Sequence, residues 1–156
     1  MLANKLLKIW KNPAMNTEKI TTKSFEETET VGFELAQTLS TGSTVLLFGN
    51  LGAGKTVFSR GFARGLGITE PVSSPTYTIV QEYDIPTGGR LYHLDLYRIS
   101  GVESALAFGV DEFIDDPEAI RLIEWPMRID GILPDDCIKV TITHIDDETR
   151  EICIEK

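Results

Sequence analysis

The sequence predicts a three-layer α/β fold whose central sheet is mostly parallel and whose edge strands are antiparallel. Three observations carry that expectation. The continuous apolar run "TVLLFG" from Thr44 reads as a strand buried on both faces and passes directly into helix-forming sequence. Two more apolar strands, "LYHLDLYRI" and "AIRLIEW", follow with helical sequence between them, the alternation expected of βα units. The chain then closes on "CIKVTITHIDDETREICIEK", an alternating hairpin around "DDET".

Taken in order, "MLANKLLKIWKNPAMN" places Leu2, Leu6, Leu7 and Trp10 at near-helical spacing among lysines and ends in a breaker at Asn12 and Pro13. It predicts an amphipathic N-terminal extension over residues 1–16, ahead of a single domain over residues 17–156. "KITTKSF" reads as the first strand. Ser24 followed three residues later by Glu27 is a capping-box start for a helix to about Leu39. After "TVLLFG", "GKTVFSRGFARGLG" continues as a helix with Phe58, Phe62 and Leu66 on one stripe. Gly61 and Gly65 should let that helix lie close to a sheet, and Gly67 should cap its end. "PVSSPTYTIVQEYDIPTGGR" reads as a loop, a strand and a Gly-Gly turn. Ser100 and Glu103 suggest a second capping box before a short helix ending near Gly109.

At 156 residues and 42% apolar, the chain has enough apolar surface for one real core. Its formal charge of −9 argues against a broad nucleic-acid or anionic-membrane footprint, because both need a positive field. The apolar runs are far too short to span a bilayer and no signal-peptide pattern is present, so a cytoplasmic protein without membrane contact is expected. Cys137 and Cys153 read as small buried thiols on neighbouring strands. With only His93 and His144 besides, no structural metal is expected.

The chemistry concentrates at "GNLGAGKT", where Gly49, Asn50, Leu51, Gly52, Ala53, Gly54, Lys55 and Thr56 match G-x-x-x-x-G-K-[ST] in full. Glycines there let successive N–H groups turn inward around phosphate oxygens, and the following helix offers its positive end to the same anion. Lys55 adds a charge aimed at the β and γ oxygens. The Thr56 hydroxyl suits Mg2+, a hard cation that prefers oxygen donors and arrives with the phosphates. A strand before the loop and an amphipathic helix after it complete the context of a P-loop NTPase-like fold.

Hydrolysis or transfer also needs carboxylates to hold magnesium and orient the attacking oxygen. Asp95 ends "LYHLD" and Glu124 ends "AIRLIE", both at the sheet edge where open α/β folds place ligands. Either is placed to act as the metal-holding acid, and residue order does not choose between them. "SSPTYT" (73–78) sits where a γ-phosphate-sensing loop belongs, with Thr76 as the sensor, though a Pro-containing turn has the same composition. Trp125 is placed to stack on a base or shield the metal, or else to pack. Arg60, Arg64, Arg90, Arg98, Arg121 and Arg128 are candidate anion contacts. Neither N-K-x-D nor D-x-x-G follows the phosphate loop, which favours ATP over GTP.

"GNLGAGKT", "SSPTYTIVQEY", "YHLDLYRI" and "LIEWP", in that order, closely resemble the bacterial TsaE family, also called YjeE, over roughly residues 20–150. The resemblance implies a small ATPase acting with the TsaB and TsaD proteins in threonylcarbamoyladenosine modification of tRNAs that read ANN codons, with tRNA met only indirectly through the complex. It implies ATP contacts from Asn50 through Thr56, magnesium at Thr56 with Glu124, and Asp95 as a further acid near the γ-phosphate. Lys55, Asp95 and Glu124 would then be the catalytic set and Thr76 part of the nucleotide site. ATP hydrolysis would reset the TsaB–TsaD complex between turnovers. The adenine contact is the least defined, with Ser24 and Phe25 as its candidates, and residues 1–16 lie outside the matched part. A small-molecule kinase is the alternative function for a phosphate-loop domain of this size.

Overall fold

A computed structural model describes residues 10–12 and 16–156. Its strands are β1 (Trp10–Asn12), β2 (Thr17–Thr22), β3 (Thr44–Phe48), β4 (Val80–Asp84), β5 (Arg90–Asp95), β6 (Ala119–Glu124), β7 (Cys137–His144) and β8 (Arg150–Glu155). They form one sheet in the order β1-β2-β8-β7-β3-β6-β5-β4. β3 pairs in parallel with β6 and β7, and β5 pairs in parallel with β6. The β4–β5, β7–β8, β2–β8 and β1–β2 pairs are antiparallel. The expected parallel centre with antiparallel edges is therefore the architecture found.

Successive residues of a strand face opposite sides, and β3 shows how both sides are covered. Val45 and Leu47 join a core with Val31 and Leu35 of α1 (Phe25–Gln37) and with Phe58 and Phe62 of α2 (Lys55–Gly65). Leu46 joins a second core with Ala105 of α3 (Val102–Ala107), Val110 and Ile114 of α4 (Val110–Ile114), and Ile129 of a 3-10 segment, Pro126–Ile132. Two helical layers thus enclose the sheet. β6 is buried along its whole length, as its apolar sequence requires.

Ser24 caps α1 by accepting the Glu27 N–H at 3.1 Å, while the Glu27 carboxylate accepts from Lys23 N–H rather than from Ser24 itself. α2 ends in a Schellman motif, with Gly67 N–H on Arg64 O (2.9 Å) and Ile68 N–H on Ala63 O (3.1 Å).

Four expectations need correction. The segment 100–109 holds no second capping box: Gly101, with no side-chain cap bond, starts α3, and α4 follows separately after Gly109. Cys137 and Cys153 do lie on neighbouring strands but are half-buried rather than buried, and Cys153 stands opposite Thr141, four residues along β7 from Cys137, so the two free thiols are far apart. Trp10–Asn12, part of the expected N-terminal helix, form β1 against β2, and the rest of that helix lies outside the described residues. Finally, the glycines of α2 serve a helix contact, not a sheet contact. A Cβ on Gly61 would meet Glu29 O of α1 at 1.8 Å, and one on Gly32 of α1 would meet Phe58 O at 2.3 Å. Bare backbone on both helices lets their axes approach, which draws α2 onto the strands beneath the phosphate loop.

That contact sets two effects against each other in Gly61→Ala. Alanine gains about 1 kcal/mol of helix propensity, but forced separation of packed elements costs roughly 1–3 kcal/mol. A backbone carbonyl, unlike a flexible side chain, cannot yield, so the steric cost should win. Urea denaturation of Gly61→Ala should show a net loss of up to about 2 kcal/mol, whereas a gain would mean that the helices separate freely.

Candidate functional site

The site lies at the edge of the sheet where β3, β5 and β6 end. In the parallel register Asp95 stands opposite Glu124, and Glu124 opposite Leu47, one residue before the end of β3. Two carboxylates and the start of the phosphate loop are thus brought to one level by backbone pairing alone. Both acids are buried, Asp95 to 5% and Glu124 to 2% exposure.

The loop turns sharply between β3 and α2. Ala53 N–H bonds to Asn50 O at 3.0 Å, and Gly54 takes φ 109 as the residue that opens the helix. A side chain there would be strained, so glycine is required where the backbone must point its N–H groups forward. Lys55 leaves the first turn of α2 and is only 8% exposed. Its Nζ donates to the Gly49 carbonyl and lies 4.4 Å from the centre of the Trp125 ring. Burial pulls its pKa down, while Glu124 and Asp95 oppose that shift. The ammonium is therefore poised between two acids with no ion pair to either within 4.0 Å among the described residues.

Asp95 is fully engaged. One carboxylate oxygen accepts from the hydroxyls of Ser74 and Thr76, each at 3.1 Å, and the other accepts Tyr97 N–H at 3.0 Å. Thr76, expected to sense a phosphate, here ties the "SSPTYT" loop to the end of β5. Asp95 does not pair with Arg98, whose guanidinium lies 4.4 Å from the Tyr77 ring centre. Glu124 has one partner, His93 Nε2 at 3.1 Å from Oε2. Oε1 has no hydrogen bond among the described residues.

Leu51, Gly52, Gly54, Lys55, Thr56, Thr76, Asp95 and Glu124 border one cleft of about 360 Å³, together with Phe25, Tyr97, Trp125 and Arg150. Of the other predicted residues, Ala53 is buried and Asn50 borders a neighbouring cleft between the loop and the end of β7. Phe25 borders the cleft, but Ser24 is spent as the helix cap. None of the six candidate arginines borders it. Arg64 pairs with Glu29, Arg90 lies beside Glu82 and Asp84, and Arg121 is buried near the opposite sheet edge on Thr44 Oγ1 and the carbonyls of Gly42 and Asp116.

Arg150 is the residue that sequence reasoning missed. Its Nε donates to Ala53 O at 2.8 Å, and its Nη1 donates to Asp146 O at 2.6 Å and Thr149 O at 3.1 Å. It braces the phosphate loop against the β7–β8 turn. Its place in an alternating hairpin gave no sign of this; only the burial pattern of β8, with Arg150 on the inward side, exposes it.

A family model described as threonylcarbamoyl adenosine biosynthesis protein TsaE matches residues 22–152. The chain belongs to the TsaE family. The TsaE protein of Bacillus subtilis is 40% identical over 130 residues, covering 81% of this chain and 78% of the relative. The TsaE of a Nostoc species is 43% identical over 131 residues, with the same coverages, and that of Treponema pallidum 36% identical over 134 residues, covering 85% and 96%. The crystal structure of Bacillus subtilis YdiB superposes with a TM-score of 0.76 at 35% identity, covering 90% of this chain and 86% of YdiB. The fold expected from sequence is thus the fold of TsaE proteins, and the four motifs that carried the resemblance lie within the matched residues.

Truncating Arg150 breaks the buried contact with the Ala53 carbonyl, where an unsatisfied polar group costs about 1–3 kcal/mol, and frees two turn carbonyls that are only half-buried. Arg150→Ala should lower unfolding free energy in guanidinium titrations by about 1–3 kcal/mol, and Arg150→Lys, whose donors sit on one atom and cannot span the loop and turn carbonyls as Nε and Nη1 do, should recover less than half of that. Full recovery by lysine would reduce the role to charge.

Proposed function

We propose that this chain is a magnesium-dependent ATPase of tRNA threonylcarbamoyladenosine biosynthesis, working in the cytoplasm with TsaB and TsaD on tRNAs that read ANN codons. Membership of the TsaE family ties it to that pathway. The observation that carries the chemical part is the convergence on one cleft of Lys55, Thr56 and two register-matched buried carboxylates.

In this reading the loop from Asn50 to Thr56 wraps the phosphates with backbone N–H groups, helped by the positive end of α2. Lys55 exchanges its Gly49 contact for β and γ oxygens. Its low exposure makes that charge stronger toward a phosphate than a solvated lysine would be. Thr56 and Glu124 offer a hydroxyl and a carboxylate, the hard oxygen donors that suit magnesium, and the free Oε1 of Glu124 fits that use. Bound magnesium would neutralise charge on the transferred phosphoryl group.

Asp95 orients the hydroxyls of Ser74 and Thr76, and release of that contact would free Thr76 for the γ-phosphate. Residues 17–156 act as a single ATPase domain. The net charge of −9 fits a subunit whose partners hold the tRNA. No helix among the described residues is long and apolar enough to cross a membrane, in keeping with the proposed compartment.

ATP hydrolysis should be slow for the isolated chain and rise strongly with purified TsaB and TsaD. Glu124→Gln should reduce stimulated turnover tenfold or more, about 1.4 kcal/mol of barrier, and Lys55→Ala should weaken nucleotide binding itself. Turnover indifferent to the partners, with ADP release dependent on a metabolite acceptor, would point to a kinase.

A further inference from the structure

His93 stands two residues before Asp95 on β5, hence on the same face of the strand, and is 1% exposed. Its Nε2 lies 3.1 Å from Glu124 Oε2. Its Nδ1 is buried with no hydrogen-bond partner. These contacts decide the tautomer. A proton on Nδ1 alone would bury an orphaned N–H and set the Nε2 lone pair against a carboxylate oxygen. A proton on Nε2 is donated to Oε2.

The carboxylate needs that donor. Lys55 borders the same cleft and feels the charge of Glu124, yet the two form no ion pair within 4.0 Å among the described residues. A buried carboxylate without another partner is drawn to such an ammonium, and the resulting pair would withhold both groups from a nucleotide. We propose that His93 is the positioning residue for Glu124: by donating Nε2–H to Oε2 it holds the carboxylate off Lys55 and leaves Oε1 for the magnesium–nucleotide complex. This rests on the nucleotide reading above.

Size alone does not explain the choice of histidine, since leucine would fill a similar volume and leave Oε2 without a donor. Glutamine can place an amide N–H near the position of Nε2, whereas asparagine reaches only to that of Nδ1. The three substitutions therefore separate donation from packing.

The experiment is a fluorescence titration with mant-ATP, with and without magnesium, on the native full-length chain and on His93→Gln, His93→Leu and His93→Asn, alongside thermal melting. Magnesium-free affinity should stay near native in His93→Gln and fall in His93→Leu and His93→Asn, where Glu124 is free to pair with the phosphate-loop Lys55. The gain in affinity on adding magnesium should be near native in His93→Gln and at least tenfold smaller in His93→Leu and His93→Asn. Should the leucine variant not fold, the asparagine and glutamine pair gives the same contrast. A native magnesium response in His93→Asn, or equal losses in His93→Gln and His93→Asn, overturns the assignment alone. Native protein that binds no mant-ATP under either condition overturns the nucleotide reading and the assignment with it.

Discussion

The buried ammonium of Lys55 is the charge on which the rest of the site depends. An ammonium removed from water costs several kcal/mol unless its surroundings compensate, and here the compensating groups come from the ends of three strands. The Gly49 carbonyl comes from the end of β3, the Trp125 ring from the residue after β6, and the two negative charges from the ends of β5 and β6. The ring and the two acids come near Lys55 only because β5, β6 and β3 pair in parallel and in the register observed. The position of Lys55 depends in turn on α2 settling deeply, which the glycine contact with α1 permits and the buried rings of Phe58 and Phe62 reinforce. Packing far below the cleft therefore bears on the electrostatics at its floor.

The antiparallel half of the sheet contributes through one side chain. β7 and β8 carry no acid into the cleft, yet the turn between them is fastened to the phosphate loop by Arg150. A glycine-rich loop is costly to order, because glycine loses more backbone freedom than any other residue. A guanidinium with a fixed fork of donors can hold such a loop from outside without touching its inward-facing N–H groups. The C-terminal hairpin thus serves as a splint for the loop as well as a cover for the sheet edge.

Much of this is legible in the sequence, and the physical reason is periodicity. Strands buried on both faces read as unbroken apolar runs, so the pattern alone places β3, β5 and β6 and the acids at their ends. The phosphate loop is legible because its backbone geometry demands glycines at fixed positions. What is not legible involves pairing between distant segments. The contact of Gly61 with Glu29 depends on how two helices dock, and "GFARG" suits a sheet contact equally well. Arg150 looks like an ordinary hairpin arginine until the hairpin is set against the loop. The hydroxyls of Ser74 and Thr76 fall on Asp95 only once β4 is paired antiparallel to β5. The short β1 strand is hidden by leucines at helical spacing upstream of it.

Two strained residues show where the fold is held against local preference. Among the described residues outside glycine, only Asn16, Ile79 and Trp125 have positive φ. The last two flank the acids: the Ile79 carbonyl accepts Asp95 N–H at 2.8 Å, and Trp125 directly follows Glu124. Such conformations cost about 1–3 kcal/mol each and persist only where surrounding contacts enforce them. For Trp125 the gain is geometric. Neighbouring residues of an extended strand must face opposite sides, so a regular continuation of β6 would turn the indole away from the side that Glu124 serves. The left-handed turn breaks that alternation and brings two consecutive side chains to one cleft, the carboxylate toward His93 and the ring toward Lys55. The contact with Lys55 and the packing of the indole against Tyr97, 4.9 Å between ring centres, hold the turn in place. The strain at Trp125 and the burial of Lys55 are thus each sustained by the contact between them.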